Sequence, residues 1–279
     1  MERGAASFPV PATPGDRAAG NSADGSDADR GVSCPRPPEP VSRNAPALRG
    51  PALLDQVWRD LAFLHWRVDP ALVAPLLPRG VVPDTYDGTS WVGLIPFRLT
   101  DARFGSGPVL PYVGSFAETN VRLYGVDAAG RRGVVFASLE AERLAFVLGA
   151  RLALRLPYTW ARMRASHEGD RYTYTGRRRW PGPRGIGAHV EVEVLPGGVD
   201  DPLADFLTAR WGLFTRTLGR TWFLPNEHDA WPLRPARALR LDDHLLAAAG
   251  LPGVADRSPD SVLFSTGVRT RFGSPSRVV

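Results

Sequence analysis

Apolar and polar residues change period several times along the chain, and each change marks an element. Residues 59–68 are rich in aromatic and apolar side chains and read as a strand. It carries His65 on the face of Leu61, Phe63 and Arg67, with Trp66 on the other. Asp69-Pro70 is an N-cap and first-turn pair opening a short helix through Leu77, which Pro78 and Gly80 end. Asp87-Gly88 turns the chain into a strand over residues 90–99, rich in Trp, Val, Ile and Phe. The clearest hairpin joins residues 115–126 to 133–139 through a loop at residues 127–130. Over residues 140–152 the period becomes helical, with Leu144, Val147, Leu148 and Leu152 on one side.

Farther on, residues 172–175 and 186–195 read as strands, the second alternating Val190, Val192 and Val194 with His189, Glu191 and Glu193. Asp201-Pro202 opens what reads as the longest helix, carrying Leu203, Phe206, Leu207, Phe214 and Leu218 toward the core. A last helix over residues 242–249 stops at Gly250, and residues 261–272 form a closing strand. Many strands, few helices and no regular β-α alternation predict an α+β domain, mainly antiparallel β and barrel-like. No repeat of 20 to 50 residues is visible, which excludes solenoids and propellers.

Composition sets the boundaries. Residues 1–48 are rich in Ala, Gly, Pro, Ser and Asp, with few large apolar side chains, and read as a disordered tail before one domain over residues 49–279. With a single cysteine, Cys34, the chain has no internal disulfide or thiolate cluster, and no His-x-x-x-His spacing points to a metal. No apolar run spans a bilayer and the N-terminus lacks a secretory h-region, so a cytoplasmic protein without membrane contact is expected.

The net charge of +5 invites a nucleic-acid reading, but arginines and acids are interleaved throughout. The densest basic run is Arg177, Arg178 and Arg179 beside Trp180, and no nucleic-acid partner is expected. All 34 cationic residues are arginine. Every mechanism that needs a lysine amine is thereby excluded: imine formation, pyridoxal phosphate anchoring and the phosphate-binding P-loop.

Candidate chemistry concentrates in Gly114-Ser115-Phe116-Ala117-Glu118-Thr119-Asn120-Val121-Arg122-Leu123-Tyr124. On a strand, Phe116, Glu118, Asn120, Arg122 and Tyr124 share one face. Inside a barrel that face would set a carboxylate, an amide and a guanidinium around a small ligand, with Glu118 and Arg122 as a desolvated pair. The same alternation suits a solvated strand face with a cross-strand ion pair. His65 suits a hydrogen-bonded core position as well as a ligand contact. His228 lies in the loop Asn226-Glu227-His228-Asp229. Neither a nucleophile elbow nor a dinucleotide fingerprint is present.

Several segments resemble one family: Leu53-Leu54-Asp55-Gln56-Val57-Trp58, Phe63-Leu64-His65-Trp66, Asp87-Gly88-Thr89-Ser90-Trp91-Val92-Gly93 and Glu118-Thr119-Asn120-Val121-Arg122. Phe206-Leu207-Thr208-Ala209-Arg210-Trp211 and His228-Asp229-Ala230-Trp231-Pro232-Leu233 extend the match. They are similar to the YqjF-like family of uncharacterised bacterial proteins, grouped with the acetoacetate decarboxylase-like superfamily. The resemblance implies an acetoacetate decarboxylase-like barrel with a few flanking helices around a small-molecule pocket. It carries that superfamily's pocket glutamate onto Glu118 and sets Tyr158 and Thr159 where acetoacetate decarboxylase has paired lysines.

The combined expectation is a cofactor-independent lyase or isomerase acting on an oxygenated organic acid or carbonyl compound. Glu118 and Tyr158 would be catalytic, and Arg122, Asn120, His65 and His228 would bind substrate. A non-catalytic binding or sensor protein using the same pocket is the alternative, and an interaction module using the basic surface a third. Homo-oligomerisation stays open.

Overall fold

A computed structural model describes residues 36–278. Residues 1–35 of the expected tail lie outside the described residues. Residues 36–48, assigned to the tail by composition, instead make contacts. The Arg36 and Glu39 amides donate to the Ala128 and Gly130 carbonyls, and Arg43 pairs with Asp200 and Asp205. The Leu48 amide donates to Glu227. Composition missed these ties because they rest on backbone groups and surface ions rather than on buried apolar side chains.

The first strand, β1 (Leu54–Val68), begins upstream of the expected start. Polar Arg59-Asp60 is a bulge rather than an end: Asp60 takes φ 53° and the pairing shifts register there. The helix α1 (Pro70–Val73) is capped by the Asp69 carboxylate accepting from the Ala71 amide, and a 3-10 turn follows at Ala74–Leu76. Then come β2 (Val81–Pro83), β3 (Ser90–Phe104), β4 (Phe116–Asp127) and β5 (Arg132–Ala141). The helix α2 (Leu144–Leu154) starts later than its apolar spacing suggests, because Glu140 and Ala141 stay paired with β4.

Three strands follow, β6 (Tyr158–Glu168), β7 (Arg171–Trp180) and β8 (Gly187–Val194). The helix expected over Asp201 to Leu218 is only α3 (Pro202–Thr208). Phe214 belongs to β9 (Gly212–Thr217), and Leu218 is 87% exposed in the turn to β10 (Arg220–Glu227). The spacing of Phe206, Leu207 and Phe214 fits a helix, but tertiary pairing overrides it. After β11 (Leu233–Asp243), α4 (Leu245–Ala248) is one turn, capped by Asp243 rather than begun at Asp242. The strands β12 (Ser261–Phe272) and β13 (Ser276–Arg277) close the chain.

The sheet forks at two strands. On β5, Val134 and Val135 pair with β9 while Leu139 to Ala141 pair with β6. On β12, Leu263 to Ser265 pair with β11 while Arg271 and Phe272 pair with β10. Two closed circuits therefore share the run β12-β1-β3-β4-β5. One is completed by β6, β7, β8 and β11, giving a nine-strand barrel, and the other by β9 and β10.

The shared strands are covered on both faces. On one, Phe116 and Tyr124 of β4 pack with Phe206, Leu213 and Leu224. On the other, Val121 and Leu123 pack with Tyr174, Val190 and Val192. No helix among the described residues is long and apolar enough to cross a membrane.

Opposite the bulge in β1, β12 has Gly267 at φ 128°, where a Cβ would stand 1.9 Å from the Trp58 carbonyl oxygen. A side chain there collides with backbone that cannot yield without breaking the pairing. Gly267→Ala should cost about 2–3 kcal/mol in denaturant unfolding. A loss below ~0.5 kcal/mol would show that the bulge yields freely.

Candidate functional site

Strand alternation sends Glu118, Asn120 and Arg122 of β4 toward β9, β10 and α3, where they line a cavity of about 90 Å³. Trp58 and Phe97 complete much of the β1 and β3 wall, and Phe146 and Ala150 come from α2. An apolar cavity of ~150 Å³ accommodates benzene, so this space suits a short-chain molecule.

Glu118 sits at one end, 3% exposed, and its Oε2 accepts a hydrogen bond from the Tyr158 hydroxyl at 3.2 Å. Burial pushes the Glu118 carboxyl up to about 8, with the tyrosine hydrogen bond opposing. Burial and the neighbouring Glu118 push the Tyr158 phenol well above its ordinary value, so it remains a donor. Thr159, next along β6, points the other way, its hydroxyl on the Leu139 carbonyl.

Arg122 marks the other end. Its Nε donates to the Tyr124 hydroxyl at 2.8 Å and one Nη donates to the Leu207 carbonyl at 2.8 Å. It makes no ion pair among the described residues, and its guanidinium lies over the rings of Phe63 and Tyr124. The expected Glu118–Arg122 pair does not form. Four residues of strand separate them by ~13 Å of backbone, beyond the reach of a contact pair. A buried guanidinium without a carboxylate keeps its charge uncompensated within the described residues.

Other polar groups around the cavity also lack partners. Gln56 Oε1, Trp58 Nε1, Asn120 Oδ1 and Arg210 Nη2 are buried, line the cavity and have no hydrogen-bond partner. Arg210 is otherwise committed, pairing with Asp84 and donating from Nε to the Phe206 carbonyl at 2.8 Å. Four unsatisfied polar atoms on residues of one cavity wall are an exception to the rule that buried polar groups find partners.

Five of the six residues singled out from sequence, Glu118, Asn120, Arg122, Tyr158 and His228, line this cavity. His65 does not. It lies behind Tyr124, with Nε2 2.7 Å from the tyrosine hydroxyl, and burial together with Arg122 and Arg210 holds its pKa well below the ordinary value. His65 therefore supports the Tyr124–Arg122 arrangement from outside the cavity. His228 also borders a surface depression beside Arg269 and Arg271, among the rings of Trp58, Trp211 and Trp231. Burial lowers its pKa to about 4, so it is neutral at ordinary pH.

Sequence reading passed over Gln56 and Arg210 as site residues. Both lie in segments that carry the family resemblance, which was the available signal. Among the described residues no group of three or more His, Cys, Asp or Glu side chains is placed to hold a metal.

Comparison with known proteins adds the following. Residues 55–269 match a family described as an uncharacterized conserved protein, DUF2071. The uncharacterized protein YqjF of Bacillus subtilis (strain 168) is 34% identical over 187 residues, covering 67% of this chain and 77% of YqjF. An acetoacetate decarboxylase-like enzyme from Sphingomonas wittichii RW1 has the same fold, with a TM-score of 0.58 at 16% identity over 83% of this chain and 94% of that one. Acetoacetate decarboxylase from Legionella pneumophila gives 0.57 at 17% identity, covering 92% and 98%. The enduracididine biosynthesis enzyme MppR, complexed with pyruvate, gives 0.56 at 15% identity, covering 84% and 93%.

The raised Glu118 pKa has a consequence for stability. The folded protein holds this proton more tightly than the unfolded chain, where the carboxyl titrates near 4.5. Its stabilising contribution is full below that value and is lost as pH rises toward about 8. Glu118→Gln should remove this decline, so the difference in unfolding free energy between parent and variant should shift across that window in the parent's disfavour. Parallel pH profiles for the two proteins would mean that Glu118 ionises as an exposed carboxyl does.

Proposed function

The chain belongs to the DUF2071 family of uncharacterized conserved proteins, and from that premise we propose that it binds a short-chain oxo or hydroxy acid in the barrel cavity and moves a proton on it without a cofactor. The observation that carries this reading is one strand face with a carboxylate-free guanidinium, Arg122, at one end and a carboxyl tuned to about 8, Glu118, at the other.

Arg122 and the free Nη2 of Arg210 take the substrate carboxylate. Asn120 lies between the two ends and orients the substrate's oxygen substituent. A carboxyl titrating near ambient pH both accepts and returns a proton at useful rates. In its ionised form Glu118 removes a proton from the carbon beside the carbonyl, and the C–H electron pair moves into the carbonyl to give an enolate. Where the carbon that lost the proton carries a hydroxyl, that hydroxyl's proton passes to the enolate oxygen, and protonated Glu118 returns its proton to the former carbonyl carbon, which completes an isomerisation. Tyr158 holds the Glu118 carboxyl in place. Pyruvate, found with the similarly folded MppR, is an oxo acid of the size this cavity admits. Imine chemistry has no lysine amine here, because the 279 residues contain none; the resemblance sets Tyr158 and Thr159 where the decarboxylase has its paired lysines.

The test combines binding and isotope exchange. Three- to five-carbon oxo and hydroxy acids are titrated into the parent, Arg122→Gln and Glu118→Gln, and exchange of carbon-bound hydrogen in deuterated water is followed by NMR. Arg122→Gln should weaken binding by tenfold or more, the ~1.5–3 kcal/mol of a hydrogen bond to a charged group. Glu118→Gln should keep affinity within ~3-fold and lose exchange. Binding by the parent with no exchange would leave a binding protein rather than an enzyme. Full exchange in Glu118→Gln would remove the acid/base role from this residue.

A further inference from the structure

Outside the barrel, β6, β7, the loop after Trp180 and the outer side of α2 enclose an open groove of about 850 Å³. Five arginines line it, Arg162, Arg177, Arg178, Arg179 and Arg184, together with Trp160 and Trp180. Arg178 is neutralised internally, buried in a pair with Glu140. The other four have no carboxylate within ion-pair distance among the described residues. Arg162 and Arg177 stand directly opposite each other on adjacent strands, both exposed. Like charges in that register destabilise a sheet unless something lies between them.

We propose that this groove binds a nucleotide, its phosphates on Arg162 and Arg177 and its base against the exposed Trp180. Several unpaired guanidiniums around one space call for a ligand with several negative charges close together, which a single carboxylate does not supply and a di- or triphosphate does. Trp180 is 41% exposed, an unusual position for the largest apolar side chain; the Arg151 guanidinium lies over one face of its ring, and a base can stack on the other. The volume falls within the range of small-molecule sites.

A polymer fits less well. Past Arg164, opposite Thr175, the outward pairs become Ser166 with Thr173 and Glu168 with Arg171, so the cationic track stops within two residue pairs. A second copy meeting this face about a two-fold axis would set arginines against arginines. No residue lines both this groove and the inner cavity, so the two sites are distinct.

Calorimetric titration of the full chain with ATP, ADP, tripolyphosphate and a single-stranded oligonucleotide at ~0.15 M salt tests the assignment. ATP should bind at one site with a micromolar Kd. The double variant Arg162→Gln/Arg177→Gln should weaken it at least tenfold while melting at or above the parent's temperature, since a like-charge pair is removed. Trp180→Ala should weaken ATP about tenfold and leave tripolyphosphate unchanged. The proposal fails if ATP gives no binding at millimolar concentration, if tripolyphosphate binds as tightly as ATP, or if the double variant retains parental affinity. An oligonucleotide binding more tightly than ATP would overturn it in favour of a nucleic-acid surface.

Discussion

Apart from half-buried Ala117, every residue of β4 is buried, and the arrangement of the molecule follows from that constraint. An ordinary antiparallel strand keeps one face polar by leaving it solvated. Here the forks at β5 and β12 wrap β9 and β10 over one side of the shared strands and β6, β7, β8 and β11 over the other. A glutamate, an asparagine and an arginine on the inward face must then be satisfied within the protein or by what enters the cavity. Arg122 is half satisfied, by Tyr124 and the Leu207 carbonyl, and Asn120 Oδ1 is not satisfied at all. Unmet hydrogen-bonding capacity of this kind costs roughly 1–3 kcal/mol per group, a cost tolerated in a folded domain chiefly where binding recovers it.

Separation of the two charged residues matters as much as their burial. Had Glu118 and Arg122 paired, the arginine would have held the carboxyl ionised and the carboxylate would have occupied the arginine. Because Asn120 stands between them, Glu118 responds to desolvation and keeps its proton near neutral pH, while Arg122 remains open to an external anion. His65 serves this division from behind. It is neutral, bonded to the Tyr124 hydroxyl, and adds no third positive charge beside Arg122 and Arg210.

The amino-acid pattern made part of this legible. Alternation along β4 gave the correct face for Glu118, Asn120 and Arg122, and β3 and β12 stand out through their branched and aromatic content. Of the strands that complete the two circuits, β8 and part of β7 were read and the others were hidden. In β6, β7 and β11 arginine recurs and much of one side meets solvent, so the alternation is blurred, while the apolar residues of β9 continue the spacing of α3. No local signal encodes a fork, because it depends on β5 and β12 each finding a further partner elsewhere in the sequence. Arg210 went unrecognised for the same reason: it follows a short helix, and only the closing of β9 and β10 brings it beside Tyr124.

The resemblance to acetoacetate decarboxylase sets Tyr158 where that enzyme has a lysine, and the two side chains differ in what burial does to them. A lysine beside another cation gains nucleophilicity by losing its proton readily. Tyr158 cannot follow that route, since burial and the adjacent Glu118 both raise its pKa. What it can do is donate to Glu118, and in doing so it fixes the carboxyl at the cavity wall without supplying a charge that would ionise it. Under the proposed function, Tyr158 would support a proton carrier where the resemblance places a nucleophile. In the proposed reaction, proton transfer takes the place of bond cleavage through an imine, with the substrate's charge met at Arg122. In the proposed step the substrate's own carbonyl is the electron sink, and the protein would supply a carboxyl that ionises near ambient pH and a guanidinium with no carboxylate beside it among the described residues.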